Sequence, residues 1–254
     1  MLSKNKIKSI QRLKLKKYRY QFRTYLLEGE KMAEEILRHS PEKVREVLAT
    51  QDWLEANQAF LSHTSMEIQE ITEAELKKIS LLKTPNKVLI LAEMMPTLPE
   101  DEKIAISNAA FFLDGIQDPG NLGTILRIAD WFGFYDLFCS PGTVDLYNPK
   151  VVQASMGAFF RVNVQQLSLG ELLERSGPLT VYGADLKGES VFSTEWEWPS
   201  LVVMGNESQG IKKETASLIR EFVHIPSYKG SEMESLNAGI ATGIIAAVLR
   251  QAIP

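Results

Sequence analysis

The sequence predicts an α/β protein in two parts, a small mixed domain followed by a larger one built on a mostly parallel sheet. Three observations carry this expectation. From about residue 24, short apolar, β-prone runs alternate with amphipathic stretches. The alternation is broken once, between Met94 and Lys103. The apolar runs after the break are longer and more continuous than those before it.

In order, the first part reads as a strand at Thr24 to Leu27, a helix from Gly29 to His39 and a strand at Val44 to Ala49. A helical stretch near Asp52 to Phe60, a strand at Met66 to Ile71, a helix from Thr72 to Leu82 and a strand at Val88 to Ala92 repeat the alternation. Pro96, Pro99 and the charges from Glu100 to Lys103 break both periodicities, which marks residues 94–103 as a linker. The expected divisions are therefore a basic segment at 1–23, a small α/β domain at 24–93 and a larger domain at 104–254.

After the linker, strands are expected at Ala109 to Leu113, Asp136 to Cys139, Phe160 to Val164, Leu179 to Tyr182, Leu201 to Met204 and Phe222 to Ile225. Helical stretches separate them near Gly120 to Phe132, Pro149 to Phe159, Leu169 to Ser176 and Lys212 to Arg220, and one closes the chain from Leu236 to Gln251. Continuous apolar strands spaced by helices imply a parallel sheet covered on both faces. In such sheets ligands sit beyond the carboxyl ends of the strands, so the polar residues that follow those ends matter most.

Composition bounds the function classes. The chain has 254 residues, of which 44% are hydrophobic and 24% charged, the profile of a globular protein with room for one large or two modest domains. Its single cysteine, Cys139, follows an apolar run, which excludes a disulfide framework and points to a buried thiol in a reducing cytoplasm. No signal-peptide pattern and no apolar window long enough for a membrane span is found. His39, His63 and His224 are scattered and form no ligand cluster, so no metal is expected.

The net charge of −4 hides an asymmetry. Residues 1–23 hold Lys4, Lys6, Lys8, Arg12, Lys14, Lys16, Lys17, Arg19 and Arg23 with no acid among them, so the rest of the chain is strongly acidic. These cations interleave with Tyr18, Tyr20, Phe22 and Tyr25, a pattern suited to phosphate contacts and base stacking on RNA. Lys14, Lys16, Lys17, Arg19 and Arg23 are the candidate RNA-binding residues; a solvated basic helix or a frayed tail fits the charge pattern as well.

Three strand ends differ from the others. After Leu113 the chain reads Asp114-Gly115-Ile116-Gln117-Asp118-Pro119-Gly120-Asn121, a tight turn that places Asn121 as the expected N-cap of the next helix. Arg127 lies inside that helix between Leu126 and Ile128; an arginine so placed also fits one that snorkels to solvent or pairs with Asp130. After Leu201 to Met204 come Gly205-Asn206-Glu207-Ser208-Gln209-Gly210, where Gly205 permits a ligand to approach the backbone. After Val223-His224-Ile225-Pro226 a loop leads to Ser235-Leu236-Asn237, with Ser235 and Asn237 typical cap residues, and then to a final helix rich in Ala and Gly that implies close packing.

Together these segments resemble the three motifs of the SpoU (TrmH) family of RNA ribose 2′-O-methyltransferases in the SPOUT superfamily: Asp118 to Arg127, Gly205 to Gly210, and Ile225 to Asn237, in the family's order. Tyr25 to Lys31 is similar to the start of the L30-like substrate-binding domain found in many members, so the resemblance covers nearly the whole chain. It implies a trefoil-knotted SPOUT domain, a homodimer and S-adenosylmethionine as methyl donor. It further implies that Arg127 stands at the ribose hydroxyl, that Asn121, Glu207, Ser235 and Asn237 complete the catalytic set, and that Met204, Gly205, Ile225, Leu236 and Ala184 hold the cofactor. Because arginine is a poor base, stabilisation of the developing alkoxide is the alternative to proton abstraction. The sequence departs from many relatives in a longer stretch between Pro226 and Ser235 and in Ala238 where valine is common, which bears on the identity of the target.

The separate N-terminal domain favours ribosomal over transfer RNA as the partner, by analogy. A dinucleotide-dependent enzyme is disfavoured because no Gly-x-Gly-x-x-Gly follows an early strand. A non-catalytic RNA-binding or ribosome-assembly protein should have lost Arg127, Asn121 or the motif glycines, and all are present.

Overall fold

The computed structural model describes residues 1–61, 66–96, 99 and 101–254; His63, and Thr97, Leu98 and Glu100 of the expected linker, lie outside the described residues. Packing divides the chain into two units, Met1–Pro96 with Asp145–Phe160, and Thr97–Val144 with Arg161–Pro254. Among the described residues no helix is long and apolar enough to cross a membrane.

The first unit begins with α1 (Lys4–Arg12) and α2 (Lys16–Phe22), then β1 (Thr24–Glu28), α3 (Glu30–His39), β2 (Val44–Ala49), α4 (Gln51–Ala56), α5 (Gln58–Leu61), β3 (Glu67–Glu70), α6 (Glu73–Ile79) and β4 (Val88–Glu93). The strands form a sheet in the order β1-β4-β2-β3, antiparallel except for the β2–β3 pair. Because successive strand residues face opposite ways, the apolar runs serve two cores. Tyr25, Leu27, Val47, Val88 and Ile90 pack with Met32 and Ile36 of α3 on one face. Leu26, Leu48, Leu89 and Leu91 pack with Leu2, Ile10, Leu13, Leu76 and Ile79 on the other.

The basic segment is therefore part of this unit, since its apolar residues Leu2, Ile10 and Leu13 are buried. Arg19 departs from expectation as an RNA contact. It is only 2% exposed, and its guanidinium ion-pairs with Asp145 while Nη1 donates to the carbonyls of Leu13 and Lys14, both at 2.8 Å. Tyr20 donates its hydroxyl to the same carboxylate at 2.9 Å. Lys14, Lys16, Lys17 and Arg23 remain exposed.

The start of the chain is tied down by Glu75. Its carboxylate closes a capping box with Thr72 at the head of α6 and accepts the Leu2 N–H at 2.5 Å. Those backbone donors, Thr72 and then Leu2, hold its pKa down to about 2 from an ordinary 4.5. A depressed carboxyl contributes stability above its unfolded pKa and loses it as pH falls towards the folded value. Wild type should thus lose stability between about pH 4.5 and 2 partly through this group. Urea unfolding of Glu75→Gln should show a smaller drop over that window; an identical drop would exclude the role.

The stretch 145–160 belongs to the first unit although it follows β6 (Asp136–Cys139) of the second. Tyr147 before its helix α8 (Pro149–Ser155), Val152 within it and Phe159 after it join the core with Tyr25, whose ring lies 4.9 Å from Tyr147 and 5.5 Å from Phe159 between centroids.

The second unit contains β5 (Ala109–Asp114), α7 (Pro119–Phe132), β6, β7 (Asn163–Gln166), α9 (Leu169–Arg175), β8 (Thr180–Ser190), β9 (Ser200–Gly205), α10 (Lys213–Ala216), β10 (Glu221–His224) and α11 (Ala238–Ala252). Its six strands are all parallel, in the order β10-β8-β9-β5-β6-β7. The strand expected from Phe160 begins only at Asn163, because Ala158–Phe160 turn as a 3-10 helix with Phe159 buried in the first unit's core. Cys139 is buried and burial pushes its thiol up to about 12, the character of an inert core residue.

Sheet order fixes where a ligand can sit. From β5 the chain builds outward through β6 and β7, then returns to add β8, β9 and β10 on the other side. The order reverses between β5 and β9, and a crevice opens beyond their carboxyl ends at such a point.

Candidate active site

Both strands at the reversal end on unusual backbone. Beyond β5, Gly115 adopts a φ of +75°, a conformation other residues rarely take, and the chain turns into α7. Asp118, not Asn121, is the N-cap: its Oδ1 accepts the Asn121 N–H at 2.9 Å. The reason is Pro119, whose fixed φ and missing N–H suit the first helical position and so assign the cap to the residue before it. Asn121 therefore sits in the first turn of α7, 8% exposed, with its amide free to reach elsewhere.

That amide joins the three motifs. Asn121 donates Nδ2–H to Glu207 Oε1 at 2.6 Å and accepts at Oδ1 from Asn237 Nδ2 at 2.8 Å. Asn237 in turn caps α11, its Oδ1 accepting the N–H of Gly239 at 2.9 Å and of Ile240 at 3.2 Å. The direction of the chain is forced from both ends. Helix N–H groups claim the Asn237 oxygen, so its NH2 must face Asn121; Glu207 only accepts, so the Asn121 NH2 must face it. Ser235 does not cap α11; it lies exposed two residues ahead of Asn237.

The loop after β9 is held against β5. Asn206 exchanges backbone hydrogen bonds with Gly210 at 2.9 and 3.0 Å, accepts at Oδ1 from Ser208 and Gln209, and donates Nδ2–H to the Gly115 carbonyl at 2.7 Å. A Cβ on Gly205 would lie 2.5 Å from the Gly210 carbonyl carbon, so only glycine lets the loop close. Buried Asp114 accepts the Lys212 N–H at 2.9 Å and faces its Nζ at 3.4 Å, fixing the far side of the loop. Asp118, Asn206 and Asp114 are positioning residues that the sequence reading passed over; Asp-Pro before a helix was the available signal for the first.

Arg127 lies on α7 six residues beyond Asn121, about 9 Å further along the axis, and is exposed. The structure does not join it to the Asn121 chain. Asp130, its alternative partner, is engaged by Arg161 at 2.9 to 3.1 Å. Among the described residues no ion pair involves Arg127, so its guanidinium faces solvent.

The expected cofactor residues flank the ends of three adjacent strands. Met204 and Gly205 end β9, Ile225 follows β10, and Ala184 begins a stretch of β8 that loops out where its register with β10 shifts between Phe222 and Val223. Met204 is buried, Gly205, Ile225 and Ala184 are partly exposed, and Leu236 is 49% exposed. At Gly205 the place of a side chain is filled by the Gly210–Ile211 backbone, which fixes the main chain at the end of β9.

Comparison with known proteins finds relatives over nearly the whole chain. The SpoU rRNA Methylase family is matched over residues 108–247 and the MRM3-like substrate binding domain over residues 4–90. The 23S rRNA (guanosine(2553)-2′-O)-methyltransferase RlmP of Bacillus subtilis is 28% identical over 248 residues, covering 96% of each chain. Among solved structures, a Porphyromonas gingivalis protein assigned to the TrmH family of RNA methyltransferases superposes with a TM-score of 0.84 at 34% identity, over 99% of both chains. An AdoMet-bound rRNA methyltransferase from Sinorhizobium meliloti superposes at 0.87 with 26% identity, over 99% of this chain and 96% of that one.

Proposed function

The chain belongs to the SpoU rRNA methylase family, and on that basis we propose that it methylates a ribose 2′-hydroxyl of ribosomal RNA with S-adenosylmethionine as donor. The observation that carries the reading is the Glu207–Asn121–Asn237 chain, which draws all three motifs to the crevice at the β5–β9 reversal. A second target, transfer RNA, has less support because the full-length relative is named for 23S rRNA.

The bound donor supplies an electrophilic methyl group on a sulfonium. The protein's part is to align it with the hydroxyl and to stabilise the charge that develops on oxygen. Main chain at Met204, Gly205, Ile225, Leu236 and Ala184 holds the cofactor in this reading. Arg127, exposed and without an ion-pair partner among the described residues, stabilises the developing alkoxide. Asn121, Glu207 and Asn237 lock the loop that faces it, and Ser235 contacts substrate from the exposed loop before α11. Exposed Lys14, Lys16, Lys17 and Arg23 on the first unit supply phosphate contacts. The test is to map ribose methylation across total RNA with and without the protein, and with Arg127→Ala. At least one 2′-O-methyl site in ribosomal RNA should vanish in the null and remain absent with the variant; an unchanged map would end the enzymatic reading.

The same reading includes the trefoil knot and a homodimer. Support for the dimer comes from large apolar side chains exposed on α7 and α11, Trp131 at 84% and Ile240 at 56%. Sedimentation of the purified chain should give twice its 28.5 kDa mass, and a monomer at micromolar concentration would contradict it.

A further inference from the structure

The first unit contains a cleft of about 500 Å³, within the size range of small-ligand sites. Its lining includes Lys14, from the turn between α1 and α2, Asn148 and Lys150, at the start of α8, and Leu81 and Leu82, after α6. Neither lysine has an ion-pair partner among the described residues. The cleft's carboxylate, Glu28, is already engaged by the Ser80 hydroxyl and by the Leu81 N–H at 2.9 Å, and burial raises its pKa. With two lysines against one carboxylate, the lining carries a net positive charge.

A single buried ion pair sets the two lysine-bearing segments. Arg19 holds the α1–α2 turn through the Leu13 and Lys14 carbonyls, while its partner Asp145 accepts the Asn148 N–H at its own carbonyl, at 2.9 Å. Burying an arginine and an aspartate is costly, and such pairs are best attested where they fix registry. Here what they register is the turn that carries Lys14 against the segment that carries Asn148 and Lys150.

Cations beside apolar side chains, with the Asn148 and Gln153 amides in the same lining, form the chemistry that recognises a splayed-out nucleotide: phosphate on ammonium, base on aliphatic surface, base edge on amide. We propose that this cleft takes one unpaired nucleotide of the ribosomal RNA substrate, with Lys14 and Lys150 on its phosphates and Leu81 and Leu82 against its base. The proposal rests on the reading of the chain as an rRNA-modifying enzyme, and deepens it by assigning a recognition site away from the reacting ribose.

The test uses the full chain and protein-free ribosomal RNA from the same cells, with Kd measured across a salt series. Lys14→Met/Lys150→Met should raise Kd about tenfold near 0.1 M salt and flatten the log Kd against log salt slope by about 1.5. Ala154→Trp, which fills the cleft from α8, should raise Kd at least about fivefold with the slope unchanged. Leu81→Ser, at a position 37% exposed, repeats the second test without demanding room for a large side chain. Wild-type affinity in the lysine variant, or in both wall variants, would overturn the proposal. A wild-type chain that binds rRNA through the cleft but methylates none would instead overturn the methyltransferase reading and leave the cleft standing.

Discussion

Asn121→Ala should lower single-turnover methyl transfer by about two to three orders of magnitude, the scale seen when one preorganised polar group is removed from a catalytic site. The substitution deletes the middle of the chain of side chains that links the three motifs, from Glu207 through Asn121 to Asn237. Glu207 then loses its 2.6 Å donor and the Asn237 amide loses its acceptor, so the loop after β9 and the start of α11 lose their common anchor. Displacements of about 1 Å at reacting groups cost on the order of a hundredfold. Asn121→Asp should be no better, because it would set a second carboxylate against Glu207. Release of labelled methyl product into rRNA at saturating cofactor, beside the melting temperature, separates catalysis from folding. A folded variant within threefold of wild type would remove Asn121 from the site.

The largest expected loss of stability is at Arg19. Arg19→Ala leaves Asp145 as an uncompensated buried charge and the Leu13 and Lys14 carbonyls without their donor, a change that costs about 3–5 kcal/mol. Against the 5–15 kcal/mol that holds a typical domain together, roughly a third of the stability is at stake. Arg19→Lys should rescue little, since an ammonium cannot span the carboxylate and both carbonyls as the planar fork does. Lys16→Ala and Lys17→Ala, on exposed positions of the same helix, should fall within about 0.5 kcal/mol of wild type. Urea unfolding decides it, and a cost below about 1 kcal/mol for Arg19→Ala would show that the pair is not structural.

Arg19 also shows where sequence reading stops. Nine cations in 23 residues read as one charged surface, and nothing local marks Arg19 as the one that is buried. Its partner lies 126 residues away, in a stretch that sequence order assigns to the other unit. The motif residues were legible for the opposite reason. Strand ends are marked by the change from apolar runs to Gly, Asn, Asp and Glu, so Asn121, Glu207 and Asn237 stood out one by one. The N-cap was misjudged by three residues because asparagine and aspartate are both good caps, and Pro119 decides between them.

By itself the sequence determined the alternation of strands and helices, the parallel character of the second sheet, and which polar residues lie beyond its strand ends, because these depend on periodicity and on the conformational limits of single residues. Only the tertiary structure decided that Asn121 bridges Glu207 to Asn237, that Arg19 is an internal strut, and that residues 145–160 complete the first unit. Those contacts join groups 86 to 126 residues apart. They are selected by burial and by the need of each buried polar group for a partner, and neither is written in any local window of the chain.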